Sequence, residues 1–446
     1  MVFSSLLFLF FFLPLVLIAH TALPPRLRNG FLLLASLVFY AIGDWKNLPL
    51  LLALTAFDYG ACRWMDALTG KKRRAVMGVS VGVNVLVLVV FKYLKLLVPG
   101  LPAYPALPLG ISFFIFQSIS CLVDVYRGTV QAERNLRDYA AYILLFPQLI
   151  AGPIVRYSDV SEALHSRQIT PASLEKGMKT FLAGLAAKVL LANRLGALCA
   201  ALQAIPNRGG AASWLVLVSC AFQYYYDFFG YSLMAIGMGR MLGFSFPQNF
   251  NQPFAATSIQ DLWRRWHMTL GTWLRSYIYI PLGGSRHGKA RMVLSLLITW
   301  TVSGLWHGAG WNFLAWGLFF AVFIILETLF YGRWLEKHRG VAHVYTLILF
   351  ILSWGLFLYE TPAEIFAFAG QLVSPAVGLN TAFLTLNDAF PLALAVLLAV
   401  PAVGKKLKEA TEKYPRLGNA AYVLLFALSV LSLIRAQYNP FLYFRF

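Results

Sequence analysis

Apolar stretches about as long as a bilayer crossing recur from one end of this 446-residue chain to the other, separated by short polar turns. A hydrocarbon core about 30 Å thick takes roughly 20 apolar residues to cross as a helix, and inside it each backbone amide must be satisfied within its own segment or a closed barrel. Repeated runs of that length predict an all-α polytopic membrane protein, with roughly ten to twelve crossings. At 59% hydrophobic and 12% charged residues, the chain leaves no stretch long enough for a separate soluble domain. We therefore expect one integral membrane domain over residues 1–446.

A formal charge of +19 would suggest a nucleic-acid partner in a soluble protein. Here Lys and Arg fall in short clusters between apolar runs, at Arg26 and Arg28, at residues 71–74, at Arg127, Arg134 and Arg137, and at Lys405, Lys406 and Lys408. That is the distribution of cytoplasmic loops, which attract anionic lipid headgroups. The basicity reports topology, and no nucleic acid is implied. Cys62, Cys121, Cys199 and Cys220 lack CxxC spacing; they read as small core residues, with neither a disulfide framework nor a zinc site.

Taken in order, residues 2–19 are expected as an uncleaved first helix, and residues 31–42 and 48–62 as two spans about a polar turn at 43–47. Residues 139–155 contain LLFPQLIAGPIV, an apolar run interrupted by two prolines and a glycine. Proline removes helix hydrogen bonds, so a broken or re-entrant segment shielded by protein is expected there. Thr170, Pro171 and Ser173 offer a helix start.

The densest chemistry lies in residues 261–312, where DLWRRWHMTLGTWLRSYIYIPLGGSRHGKAR leads through an apolar segment to GLWHGAGWN. Its loop sets Arg264, Arg265, Arg275, Arg286, Lys289 and Arg291 against a single acid, Asp261, with Trp263, Trp266, Trp273, Tyr277 and Tyr279 between them. The pattern fits an interfacial anchor, and equally a surface that binds a phosphate-bearing carrier through Arg forks. His307 follows about sixteen residues after Arg291, so a helix carries its imidazole ~24 Å into the bilayer. Trp306 and Trp311 flank it, and Gly304, Gly308 and Gly310 remove bulk nearby. An intramembrane ionisable residue is a functional candidate by default; the alternative is a histidine bonded between glycine-packed helices. His267 in the loop and Asp227 inside FQYYYDFFGYSLMAIG are further candidates, Asp227 either paired internally or orienting a histidine. No GxSxG, HExxH, Walker loop or GxGxxG is present. A histidine without a serine or cysteine motif fits direct acyl transfer by general-base catalysis.

Several long motifs then carry a resemblance: PLGISFFIFQSIS with VDVYRG, LLFPQLIAGPIVR, FQYYYDFFGYSLMAIG, NFNQPF, WRRWHMTLGTWLRSYIYIPLGG, SGLWHGAGWNFLAWG and the terminal NPFLYFRF. In this order they resemble the bacterial membrane-bound O-acyltransferases, nearest the alginate O-acetyltransferase membrane subunits and more distantly those that D-alanylate teichoic acids. The resemblance implies a ring of helices, some re-entrant or interfacial, around a central tunnel. It implies His307 and His267 as catalytic residues, and Arg264, Arg265, Trp266, Arg275, Asp227, Trp306 and Asn312 around the substrates. It also implies an inner-membrane location, no tightly bound cofactor, an acyl thioester donor such as acetyl-CoA, and a periplasmic SGNH-like partner serving polysaccharide export. Ser276 stands where the family usually has Asp, and Leu233 where the alginate branch tends to have an acid. D-alanyl transfer by the same fold is the alternative within the family. From another class comes a proton-coupled transporter or lipid flippase with His307 and Asp227 as relay residues.

Overall fold

The computed structural model describes residues 2–98, 100, 106–206, 208–375 and 379–435; the terminal NPFLYFRF stretch and most of the proline-rich connection at 99–108 lie outside the described residues. All regular structure among the described residues is helical. The chain packs as two compact units, one comprising residues up to Phe181 with Tyr231–Gln248, the other Leu182–Gly230 with the residues from Asn249 onward. The 33-residue helix Gly209–Met241 contributes to both.

Among the described residues, six helical stretches are long and apolar enough to cross a bilayer, or up to seven when the bent pair Leu386–Ala399 and Pro401–Lys413 is taken as one span. This is fewer than the crossings expected from the sequence, for two physical reasons. The two short spans about residues 43–47 fall within a single 42-residue helical stretch, Pro25–Asp66, whose polar turn shrinks to one tight turn at Trp45–Asn47. Other expected crossings are helices that carry buried polar residues, such as Ile111–Arg127 with Gln117, Ser120 and Asp124. Outward-facing apolar side chains such as Phe11, Leu15 and Ile18 are exposed, as lipid contact requires.

In the first unit, the interrupted segment behaves as its prolines predict. Helix Leu136–Leu144 stops, one turn Phe146–Leu149 follows, and residues 139–155 are buried throughout. The backbone groups freed by the break are satisfied by side chains: Ser36 Oγ accepts from the Phe146 amide at 3.0 Å, and Gln148 Nε2 donates to the Tyr142 carbonyl at 2.6 Å. Tyr142 in turn donates its hydroxyl to the Val155 carbonyl at 3.1 Å. Gly110, with φ +73°, lets the start of helix Ile111–Arg127 press on this segment; a Cβ there would run into the Leu149 carbonyl. Thr170 and Ser173 bond reciprocally, the amide of each donating to the hydroxyl oxygen of the other, at the start of helix Pro171–Ala186.

In the second unit, helices Gly288–His307 and Trp311–Leu326 form an antiparallel hairpin. Gly304 and Gly317 face each other across it, and a Cβ on either would meet the partner backbone. The close approach is what small residues at a membrane-helix interface permit. Cys199 and Cys220 pair as a disulfide with Cα atoms 5.8 Å apart. This corrects the reading of all four cysteines as unpaired: the two lie on successive helices, Asn193–Gln203 and Gly209–Met241, which residue spacing alone does not reveal. Lys188, on the π-helical turn Ala187–Ala192, reaches Asp227 at 2.5 Å, and both side chains are almost fully buried.

Removing one member of that pair strands a charge in an apolar interior, which costs about 3–5 kcal/mol, whereas an apolar double replacement removes both charges. Lys188→Met is expected to lower the melting temperature in detergent sharply, and Lys188→Met with Asp227→Leu to recover most of the loss. A double variant no more stable than the single one would show that the pair is not what this region depends on.

Candidate functional site

Helix Gly288–His307 begins just after the basic loop and ends on His307. At a rise of 1.5 Å per residue its twenty residues span about 30 Å, so the imidazole lies most of a bilayer core away from Lys289 and Arg291. Four-residue spacing runs a polar stripe along the helix through Arg291, Ser295, Thr299, Ser303 and His307. All but Arg291 are buried. Ser295 donates its hydroxyl to the Arg291 carbonyl at 2.8 Å and Thr299 to the Ser295 carbonyl at 2.6 Å, so the helix itself satisfies these donors. Their remaining lone pairs still make one face of an apolar helix polar.

That face borders a cavity of about 700 Å³, lined by Arg264 and Arg275 from the basic loop, by Trp263 and Trp300, and by Thr299 and Ser303 from the stripe. Its volume suits a sizeable organic ligand. Ser303 stands one helical turn before His307. The imidazole borders a second, much smaller cavity of about 20 Å³, walled by Tyr224, Phe228, Trp266, Trp316, Trp354 and Phe357. Trp263, which lines the larger cavity, lies edge-on to Trp316, which lines the smaller, with ring centres 5.4 Å apart. His307 is 6% exposed and meets Trp306 and Trp316 edge-on at 4.9 Å and Phe357 at 5.6 Å. The glycines around it serve packing: Phe313 fills the space beside Gly308, and Asn312 that beside Gly310.

His267 arrives at the same place from the loop. It precedes helix Met268–Leu274 in the left-handed region, φ +45°, one of two non-glycine residues with positive φ among the described residues. Such a backbone is strained and persists only when its surroundings hold it. The holder is Asn249, whose Oδ1 accepts from Thr269 Oγ1 at 2.9 Å and the Thr269 amide at 3.3 Å, and lies 3.1 Å from His267 Nδ1. The Asn249 carbonyl also accepts from the Met268 amide at 2.9 Å. An amide oxygen can only accept, so His267 carries its proton on Nδ1 and turns an acceptor Nε2 inward. Trp306 bridges the two histidines, 5.7 Å from the His267 ring. His267 lies outside the apolar spans; burial, and then the charge of a protonated His307, push its pKa well below the usual histidine range. Burial therefore disfavours its charged form.

The other residues singled out from the sequence divide. Arg264 and Arg275 line the larger cavity and Trp266 the smaller. Arg265 is engaged with Asp261 at 2.9 Å and faces neither. Asp227 is held by Lys188, so its carboxylate orients no histidine by that contact. Asn312 donates to the Phe357 carbonyl at 3.5 Å, tying the hairpin turn to helix Arg339–Leu358. Two groups escaped sequence reasoning. Asn249 was visible only as part of NFNQPF. Glu327, an acid inside an apolar span, accepts from the amides of Ile259 and Gln260 at 2.6 and 3.1 Å, fixing the start of helix Ile259–Arg265 and with it the basic loop. The stripe at 291, 295, 299, 303 and 307 had a legible signal, its spacing of four.

The model of the membrane-bound O-acyltransferase family matches residues 108–362. The whole chain is 36% identical to the whole of a protein of Azotobacter vinelandii named "Probable alginate O-acetylase AlgI". It is 31% identical to the "Peptidoglycan O-acetyltransferase" of Helicobacter pylori, over 79% of this chain and 74% of that one. With the "Teichoic acid D-alanyltransferase" of Bacillus subtilis it shares 27% identity over 55% of this chain and 65% of the other.

The Asn249 clamp predicts a graded loss. Thr269→Val removes one hydroxyl donor and is expected to cost about 1 kcal/mol, while Asn249→Ala strands several donors at once and costs about 1–3 kcal/mol more. Thermal unfolding in detergent measures both; equal effects would mean that Asn249 is not the organising acceptor.

Proposed function

The chain belongs to the membrane-bound O-acyltransferase family, and we propose that it moves an acetyl group from a cytoplasmic thioester, acetyl-CoA, across the inner membrane for O-acetylation of an exported polysaccharide. The observation that carries this reading is the relation of His307 to the larger cavity. An Arg-lined space wide enough for a pantetheine arm ends one helical turn short of a buried imidazole. Arg264 and Arg275 receive the donor's phosphates, for which planar guanidinium forks suit better than lysine. The polar stripe of Thr299 and Ser303 accompanies the arm's amides inward.

At the inner end His307 acts as general base, taking the proton of the acceptor hydroxyl as its oxygen attacks the thioester carbon. His267, neutral and held by Asn249, keeps the second imidazole from charging the site and offers Nε2 as an acceptor. The acceptor hydroxyl belongs to an extracytoplasmic SGNH-type transferase, which then passes the acetyl ester to a hydroxyl of the polysaccharide. The names of relatives matched over 79% or more of this chain, which concern O-acetylation, support acetyl over D-alanyl transfer. The relay reading loses support, because Asp227 is tied to Lys188.

The test uses the purified protein in proteoliposomes with acetyl-labelled CoA, an SGNH-type transferase and mannuronate oligosaccharide, following free thiol and labelled sugar. His307→Ala is expected to slow transfer by about 10²–10⁴-fold; transfer at the wild-type rate would refute the assignment. Arg264→Ala and Arg275→Ala are expected each to raise the KM for acetyl-CoA by roughly tenfold with kcat little changed, the sign of lost donor binding. A fall in kcat at constant KM would place these arginines elsewhere in the cycle.

A further inference from the structure

The small cavity at His307 contains a feature that packing leaves unexplained. Trp316 and Trp354, 3% and 4% exposed, both line it, and the indole N–H of each is buried with no hydrogen-bond partner. Tryptophan in a dry interior ordinarily finds an acceptor for this group, and every buried donor without one calls for a reason. Shape does not supply it. The same aromatic cluster is filled elsewhere by Phe320, Phe350 and Phe357, which bring no donor with them.

The walls are also stiff. Trp316 packs on His307 at 4.9 Å and on Phe357 at 5.5 Å, and Trp354 packs on Phe357 at 5.3 Å and stacks on Tyr224 at 4.6 Å. The space between them, about 20 Å³, admits a group the size of one water. A carbonyl oxygen is of that size.

We propose that Trp316 and Trp354 are catalytic residues, their two indole N–H groups forming the hydrogen-bonding hole for the oxygen of the acyl carbonyl as it gains negative charge. The inference rests on the acyl-transfer reading and deepens it. As the acceptor oxygen attacks, His307 takes its proton, the new C–O bond forms, and the carbonyl π pair moves onto oxygen, where the indoles hold it. Collapse returns the pair to the carbonyl and breaks the C–S bond, and the departing thiolate takes the proton back from His307. Thioester and alcohol go in; ester and thiol come out. Donors fixed in an apolar, low-dielectric wall stabilise the oxyanion without reorganising, and they do little for the uncharged thioester. The effect therefore belongs in kcat.

The experiment replaces Trp316, and separately Trp354, with 3-benzothienylalanine, which keeps the bicyclic shape and substitutes sulfur for N–H; Trp316→Phe and Trp354→Phe accompany them. The expected result in the proteoliposome assay is a fall in kcat of about 100-fold at either position, with the KM for acetyl-CoA and the melting temperature near those of wild type. If both isosteres turn over within about twofold of wild type while His307→Ala is inactive, the indoles only pack, and this inference fails while the acyl-transfer reading stands. If His307→Ala is as active as wild type, the acyl-transfer reading fails and takes this inference with it.

Discussion

Inside a bilayer no water is available to finish an incomplete hydrogen bond, and this constraint organises the whole molecule. Many of the polar groups carried into the apolar interior have a partner from the chain itself. The broken segment at 139–155 is completed by Ser36, Gln148 and Tyr142. Asp227 is answered by Lys188, the His267 backbone by Asn249, and the amides at the start of helix Ile259–Arg265 by Glu327. Ser295 and Thr299 turn back onto their own helix. Other buried polar groups, Gln117 and Tyr139 among them, have no such partner. Trp316 and Trp354, whose indole N–H groups are among these, line the cavity of His307.

Much of this was legible before any coordinates. Apolar run length predicts the class; two prolines and a glycine predict the broken segment; Thr170 and Ser173 mark a helix start. The helix that ends on His307 follows from the distance between the last basic residue of the loop and the WHGAG turn. What the sequence hides is pairing at a distance. Nothing in the neighbourhood of Asp227 points to Lys188, 39 positions earlier and on a π-helical turn whose register a periodicity argument misses. Cys199 and Cys220 escape for the same reason, since two cysteines on successive helices pair only if those helices face each other at that level.

The count of crossings illustrates a different limit. A hydropathy criterion recognises helices that face lipid, and helices enclosed by other helices have no need to meet it. Ile111–Arg127 is buried along nearly its whole length and carries serines, a glutamine and an aspartate. Gly288–His307 bears the polar stripe. The helix that carries His307 thus looks less like a membrane span than its neighbours Trp311–Leu326 and Arg339–Leu358, because lining a polar path and contacting lipid are opposing demands on the same surface.

The two cavities answer a problem that any transferase using a large carrier for a small cargo must solve. Binding energy from the carrier is useful only if it is not spent equally on the ground state and the transition state of the reacting atoms. Under the proposed function the carrier's phosphates and amides would meet arginines and hydroxyls in a space of about 700 Å³, and the imidazole borders a separate one of about 20 Å³ with aromatic walls. Attraction for the donor is thereby built from residues that never touch the reacting carbon. The small space is left with stiff rings, an imidazole and two fixed donors, whose contribution grows only as charge develops. Under the proposed function, the edge-on contact of Trp263 with Trp316 marks the boundary between holding the carrier and transforming its cargo.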